Sequence, residues 1–242
     1  MKPYFLGVLV ALAGAGVGYA DPDPSKPPVP EEQIVIRYVD ATHQQQSAMR
    51  GGSMEVDIDA ALPKMKKQGR LHALRSISKL GKITYHALGF SGDNMVKTEV
   101  ISRYLAEEVK ANQDGAPNMS ITPENYKFKY KGLEDLDGRQ VYVLHVTPRH
   151  KKVGLFKGEL WLDAATYMPV RETGTMVKSP SVMLKKMQFV RTYELQNGVS
   201  MLQRMESKAE VRFFGAVEFN INFLRFSKED ADAVAAAATE QR

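Results

Sequence analysis

The sequence predicts a mainly β fold of the α+β class, one continuous antiparallel sheet that curls towards a barrel or half-barrel. Three observations predict it. Residues 140–148, 156–163 and 167–176 read as consecutive strands, and the gaps between them are too short for a parallel crossover. Several strands alternate strictly, so that one face is apolar and the other charged. Finally, nine or ten strands follow one another with two helices among them, and that many sequential strands accumulate twist and cannot stay flat.

The elements follow in order. Residues 1–20 have a short positive start at Lys2, an apolar run over 5–17 and small residues at Gly18 and Ala20, the pattern of a cleaved secretory signal peptide. The run is shorter than the roughly 20 residues a membrane span requires. Residues 21–30 are a proline-rich leader with no helix or strand period. Residues 31–48 have Ile34, Tyr38 and Ala41 on one stripe, with Glu31 and Glu32 in the first turn where carboxylates are favoured, and Gly51-Gly52 stops the helix. Residues 54–59 set Met54, Val56 and Ile58 against Glu55, Asp57 and Asp59, a half-exposed strand.

A hairpin is expected from 68–78 and 82–90, although Leu71, Ala73, Leu74 and Ile77 do not alternate cleanly. Residues 95–110 return to helical spacing, with Gly92-Asp93-Asn94 as a cap, and make a candidate lid over one face of the sheet. Tyr126, Phe128 and Tyr130 alternate with Lys127, Lys129 and Lys131. Strands at 182–195, 199–213 and 217–226 complete the sheet, with Asn197-Gly198 the strongest short hairpin signal. Residues 227–242 read as an alanine-rich tail, which leaves 31–226 as the folded domain.

Composition narrows the function. The chain has 242 residues, 43% of them hydrophobic, and carries no cysteine, so neither a disulfide nor a lipid-modified cysteine is available. A net charge of +5 without a dense basic run argues against nucleic acid as a partner. The five histidines show no metal-ligand spacing, and neither a catalytic constellation nor a cofactor motif is found.

The order and spacing of several short motifs carry a resemblance. These are Gly138-Arg139, the run Val143 to Pro148, Gly158-Glu159-Leu160-Trp161-Leu162-Asp163 followed by Thr166 and Pro169-Val170, and the later Phe189, Tyr193, Leu195 and Gly198. With these the chain resembles the LolA-like superfamily of exported lipoprotein-sorting and lipid-carrier proteins. The resemblance implies an unclosed half-barrel with a helical lid, and a cavity that holds acyl chains during transit across the periplasm.

A single sheet with one apolar face and two amphipathic covers suits a hydrophobic ligand. Leu144, Trp161, Met187, Phe189, Tyr193, Met205, Phe219 and Phe223 are the expected cavity lining, with methionine suited to variable apolar shapes. Arg149, Lys151 and Lys152 are the expected contacts to lipid headgroups or to an acidic partner. The implied partners are a lipid or acylated protein and an inner- or outer-membrane protein. The alternative is a non-enzymatic envelope-stress sensor or assembly module whose concavity is filled by its own side chains.

Overall fold

A computed structural model describes residues 29–113, 116, 118–179, 182–196 and 199–228. The expected signal peptide, residues 21–28 of the leader, the Asn197-Gly198 pair and nearly all of the C-terminal tail lie outside the described residues.

Ten strands form one antiparallel sheet: β1 (Gly52–Leu62), β2 (Lys67–Ile77), β3 (Ile83–Gly92), β4 (Tyr126–Leu136), β5 (Arg139–Pro148), β6 (Phe156–Asp163), β7 (Pro169–Met176), β8 (Leu184–Gln196), β9 (Val199–Val211) and β10 (Gly215–Ser227). Their order is β3-β2-β1-β10-β9-β8-β7-β6-β5-β4. The first strand therefore pairs with the last, and β3 and β4 are left as edges of an unclosed half-barrel. Of the helices, α1 spans Glu31–Met49. The other helical segment is composite: α2 (Asn94–Val96), a π-helical turn over Lys97–Ile101, and α3 (Ser102–Ala111).

Most strand boundaries match the alternation, and the differences have local causes. β1 runs past Asp59 because Ala60 and Leu62 continue the buried parity. β7 starts at Pro169, since Tyr167 has a left-handed φ of 60° and belongs to the turn. β2 does alternate, with Gly69, Leu71, Ala73 and Ile77 buried on one parity and Leu74 a half-buried apolar residue on the other; the register shift between His72 and Ala73 makes one extra residue bulge out of β3, not β2. Asp137 and Gly138, with φ of 55° and 81°, close the β4–β5 hairpin as a left-handed pair, a turn in which Gly is at home.

Both helical segments pack on one face of the sheet and divide it between them. Ile34, Val35 and Tyr38 of α1 join Tyr142, Leu144, Val146, Leu160, Leu162 and Phe189 in one apolar cluster. Val96 and Ile101 join Val56, Ile58, Leu71, Ala73, Met205, Phe219 and Ile221 in another. The opposite face carries a small third cluster around Val141, Val143 and Val170.

Candidate functional site

The two apolar clusters meet at a polar seam on the helix-covered face. Glu172 of β7 lies opposite Arg191 of β8 in the ladder, and Arg191 Nη1 donates to Glu172 Oε2 at 3.1 Å. The Glu172 side chain is 6% exposed and that of Arg191 33%. Desolvation is the largest influence on Arg191 and works against its charge, but the Glu172 carboxylate together with the Tyr193 and Tyr104 phenols outweighs it, and the pKa of the guanidinium is raised. Burial, and after it the same carboxylate, hold the Tyr38 and Tyr193 phenols well above their ordinary 10.0.

A second polar group ties α3 to the sheet edge. Arg75 Nη2 of β2 donates to Glu108 Oε1 at 3.0 Å, and the Tyr85 hydroxyl of β3 donates to Glu108 Oε2 at 2.5 Å. Burial first, and Glu108 second, push the Tyr85 and Tyr104 phenols upward. Tyr104, one turn before Glu108, lays its ring 4.6 Å from that of Phe219. α3 is thus latched at one point and rests on aromatic surface elsewhere, and none of its residues is fully buried.

The expected lining residues do not all come together. Leu144, Phe189, Met205 and Phe219 are buried on the helix-covered face, beneath α1 or the 94–111 segment. Met187, Tyr193 and Phe223 are half-buried. Trp161 lies on the opposite face: the register pairs it with Val143, it packs on the third cluster, and the Arg171 guanidinium sits 5.4 Å from its ring centre. Trp161→Ala is therefore expected to lower stability by about 2 kcal/mol, the loss for a part-buried aromatic. Uptake of a hydrophobic ligand should be unchanged, which a denaturation curve and a lipid-binding titration on the same variant would check. Arg149, Lys151 and Lys152 are exposed in the β5–β6 turn, with Arg149 Nε donating to the Pro123 carbonyl at 2.7 Å.

Among the described residues, a groove of about 1260 Å³ is lined by nine of the ten strands and by no helix. Most of its side chains have the parity opposite to the buried rows, among them Asp59, Asn220, Glu206, Thr173, Glu159 and His145. The groove therefore runs over the helix-free face, with charged and polar side chains set among apolar surface. Arg70 is paired with Asp59 at 2.6 Å and Lys208 with Glu218 at 2.9 Å. Burial, then the Lys157 ammonium, push the His145 imidazole below its ordinary 6.5. An apolar concavity was expected on the other side. There the space is taken by Ile34, Val35, Tyr38, Val96 and Ile101, side chains of the chain's own helical segments.

Sequence reasoning missed the Glu172–Arg191 seam and the Glu108 latch. Each joins residues distant in sequence that only the strand register or the helix placement brings together. The available signal was parity in β8, where Arg191 stands between Phe189 and Tyr193; for Glu172 there was none, because the register shift ahead of it puts Val170 on the other face and Gly174 has no side chain.

A protein-family model whose description reads "Uncharacterized protein" matches residues 103–213. No curated protein matches. Among solved structures, the chain is similar to a DUF1329 family protein from Desulfovibrio piger at 14% identity and a TM-score of 0.44, covering 81% of this chain and 93% of that one. A LolA superfamily protein from Nitrosomonas europaea gives 14% identity and a TM-score of 0.41, over 85% and 96% of the two chains. A domain described as an outer membrane lipoprotein-sorting protein from Vibrio parahaemolyticus gives 14% and 0.38, over 83% and 97%. At these identities and TM-scores the likeness carries no functional reading, which rests on the geometry of this chain. None of the described helices is long and apolar enough to cross a membrane.

Proposed function

We propose that the protein is an exported, non-enzymatic carrier that takes a lipid, or the acyl chains of a lipidated protein, onto the helix-covered face of its half-barrel. In this reading the periplasm is its compartment, residues 31–226 are the working domain, and the segment 94–111 is the lid. The observation that carries it is α3, which lies over Met205 and Phe219 yet buries none of its residues completely and is fixed by one polar latch. A π-turn precedes it, a feature that recurs at functional sites. With the lid raised, an acyl chain would replace Tyr104 and Leu105 against the same surface, gaining about 0.8 kcal/mol per buried CH₂. Phe219, Met205, Phe223, Met187 and Tyr193 would meet the ligand, and Leu144 and Phe189 would stay beneath α1.

One observation favours a second reading. The helix-covered face is filled by the chain's own side chains, as in an interaction or sensor module that binds a protein partner and no lipid.

Native mass spectrometry of the mature protein, with organic extraction and lipid analysis, separates the two. The carrier reading expects a stoichiometric lipid or fatty acid in the wild type. It also expects several-fold faster uptake of offered phospholipid by Glu108→Gln, which weakens the latch and keeps the shape of the side chain. A clean unliganded mass, with no uptake by either protein, would favour the interaction module.

A further inference from the structure

Antiparallel order brings four turns to one end of the sheet: residues 63–66, 149–155, the described residues 177–179 and 182–183, and 212–214. They form one rim. Val177 N donates to the Leu155 carbonyl at 3.0 Å, Arg212 N donates to the Met183 carbonyl at 2.8 Å, and the Lys64 side chain packs against Gly215.

Every turn of the rim is basic: Lys64 and Lys66 in the first, Arg149, Lys151 and Lys152 in the second, Lys178 in the third and Arg212 in the fourth. Not one described residue of these turns is Asp or Glu. The neighbouring carboxylate Asp93 is paired with Lys67 at 3.0 Å, and Glu124 lies near Arg149 at the foot of β4. Each turn also presents an apolar side chain to solvent: Phe213 is 83% exposed, Val182 88%, Val153 41% and Met65 36%. Phe213 is held outward in a left-handed conformation, φ 70°, that non-glycine residues rarely adopt. The opposite end differs: in its described turns Arg50, Lys79 and Lys82 are offset by Asp137 and Asp163, and among the described turn residues Leu80 is the one large apolar side chain exposed there.

We propose that this rim is a peripheral docking surface for an anionic phospholipid bilayer, with its cations among the headgroups and Phe213, Val182, Val153 and Met65 at the acyl boundary. Cations spaced along one edge match a continuous sheet of negative charge, and apolar tips between them have a place to be buried only where a hydrocarbon layer follows that charge. The inference is independent of the carrier reading, since the rim is available whether or not the lid opens. An acidic protein would satisfy the cations and leave the tips in water.

The test is sedimentation of the full mature chain with vesicles of phosphatidylcholine alone, or with about a third phosphatidylglycerol. Binding is expected to require the anionic lipid and to fall steeply as salt shortens the screening length below about 8 Å. Neutralising one charge should weaken it about fivefold, so R149Q/K151Q/K152Q should lose roughly a hundredfold. The chain has no cysteine. An environment-sensitive dye on Val182→Cys or Phe213→Cys should therefore report entry into an apolar phase, and the same dye on Leu80→Cys should not. The proposal is overturned by absence of binding to anionic vesicles at low salt, by undiminished binding of the triple variant, or by an equal dye response at Leu80→Cys. Capture of an acidic protein without vesicle binding would overturn it too.

Discussion

Arg191→Ala is expected to cost about 3 kcal/mol of unfolding free energy, read from urea or guanidinium denaturation. The reason is what the substitution leaves behind. Glu172 is 6% exposed and sits in the seam between two apolar clusters, where its carboxylate loses its cation. The neighbouring phenols of Tyr38 and Tyr193 are polar but uncharged, and cannot replace a guanidinium. The figure lies at the low end of the range for broken buried pairs because a third of the Arg191 side chain is exposed, so water can enter.

Replacing both partners is expected to behave differently. Glu172→Leu with Arg191→Met removes the charge together with its counterion and should restore stability to near the wild-type value, because the desolvation cost disappears with the attraction. A double-mutant cycle over the four proteins would then give a coupling of about 2–3 kcal/mol. If Arg191→Ala alone cost under 1 kcal/mol, the pair would be a solvated surface bridge and the seam would not exist as described.

That seam marks where reading the sequence stops being sufficient. The meander from β4 to β7 was legible because short gaps force antiparallel neighbours, and alternation in β1, β4 and β10 fixed which side chains face inward. Pairing of β1 with β10 was not legible, since no local signal reports contact between residues some 160 positions apart. Without that pairing, the contact of the 94–111 segment with Met205, Phe219 and Ile221 could not be placed. Trp161 shows the limit for a single residue. Its flanks, Leu160 and Leu162, are both buried beneath α1, and in a strand that parity puts Trp161 on the other face; the alternation held the answer, but apolar residues at three successive positions hid it.

Which helix is the lid can be settled by comparing two truncations. Ile34→Ala is expected to cost about 3 kcal/mol in global stability, because Ile34 is fully buried against Leu144 and its neighbours and the cavity would be closed on all sides. α1 is also tied along its length, which is about 28 Å and matches the five strand spacings of about 24 Å from β4 to β9. The Glu31 carboxylate accepts from Tyr130 N at 2.6 Å, Arg37 Nη1 donates to the Tyr167 hydroxyl at 2.9 Å, and the Gln45 amide donates to the Ser200 carbonyl. Leu105→Ala in α3 removes a similar volume but from a half-buried site on a helix with no fully buried residue, so about 1 kcal/mol is expected. Hydrogen exchange should sharpen the contrast. Leu105→Ala should speed exchange of the α3 amides selectively, as local opening becomes easier, and leave those of α1 and the central strands at the wild-type rate. Ile34→Ala should speed exchange throughout, because the element it loosens opens only with the sheet. Equal global costs for the two variants would make α3 part of the core, and the face beneath it would then have no door through which a ligand could enter.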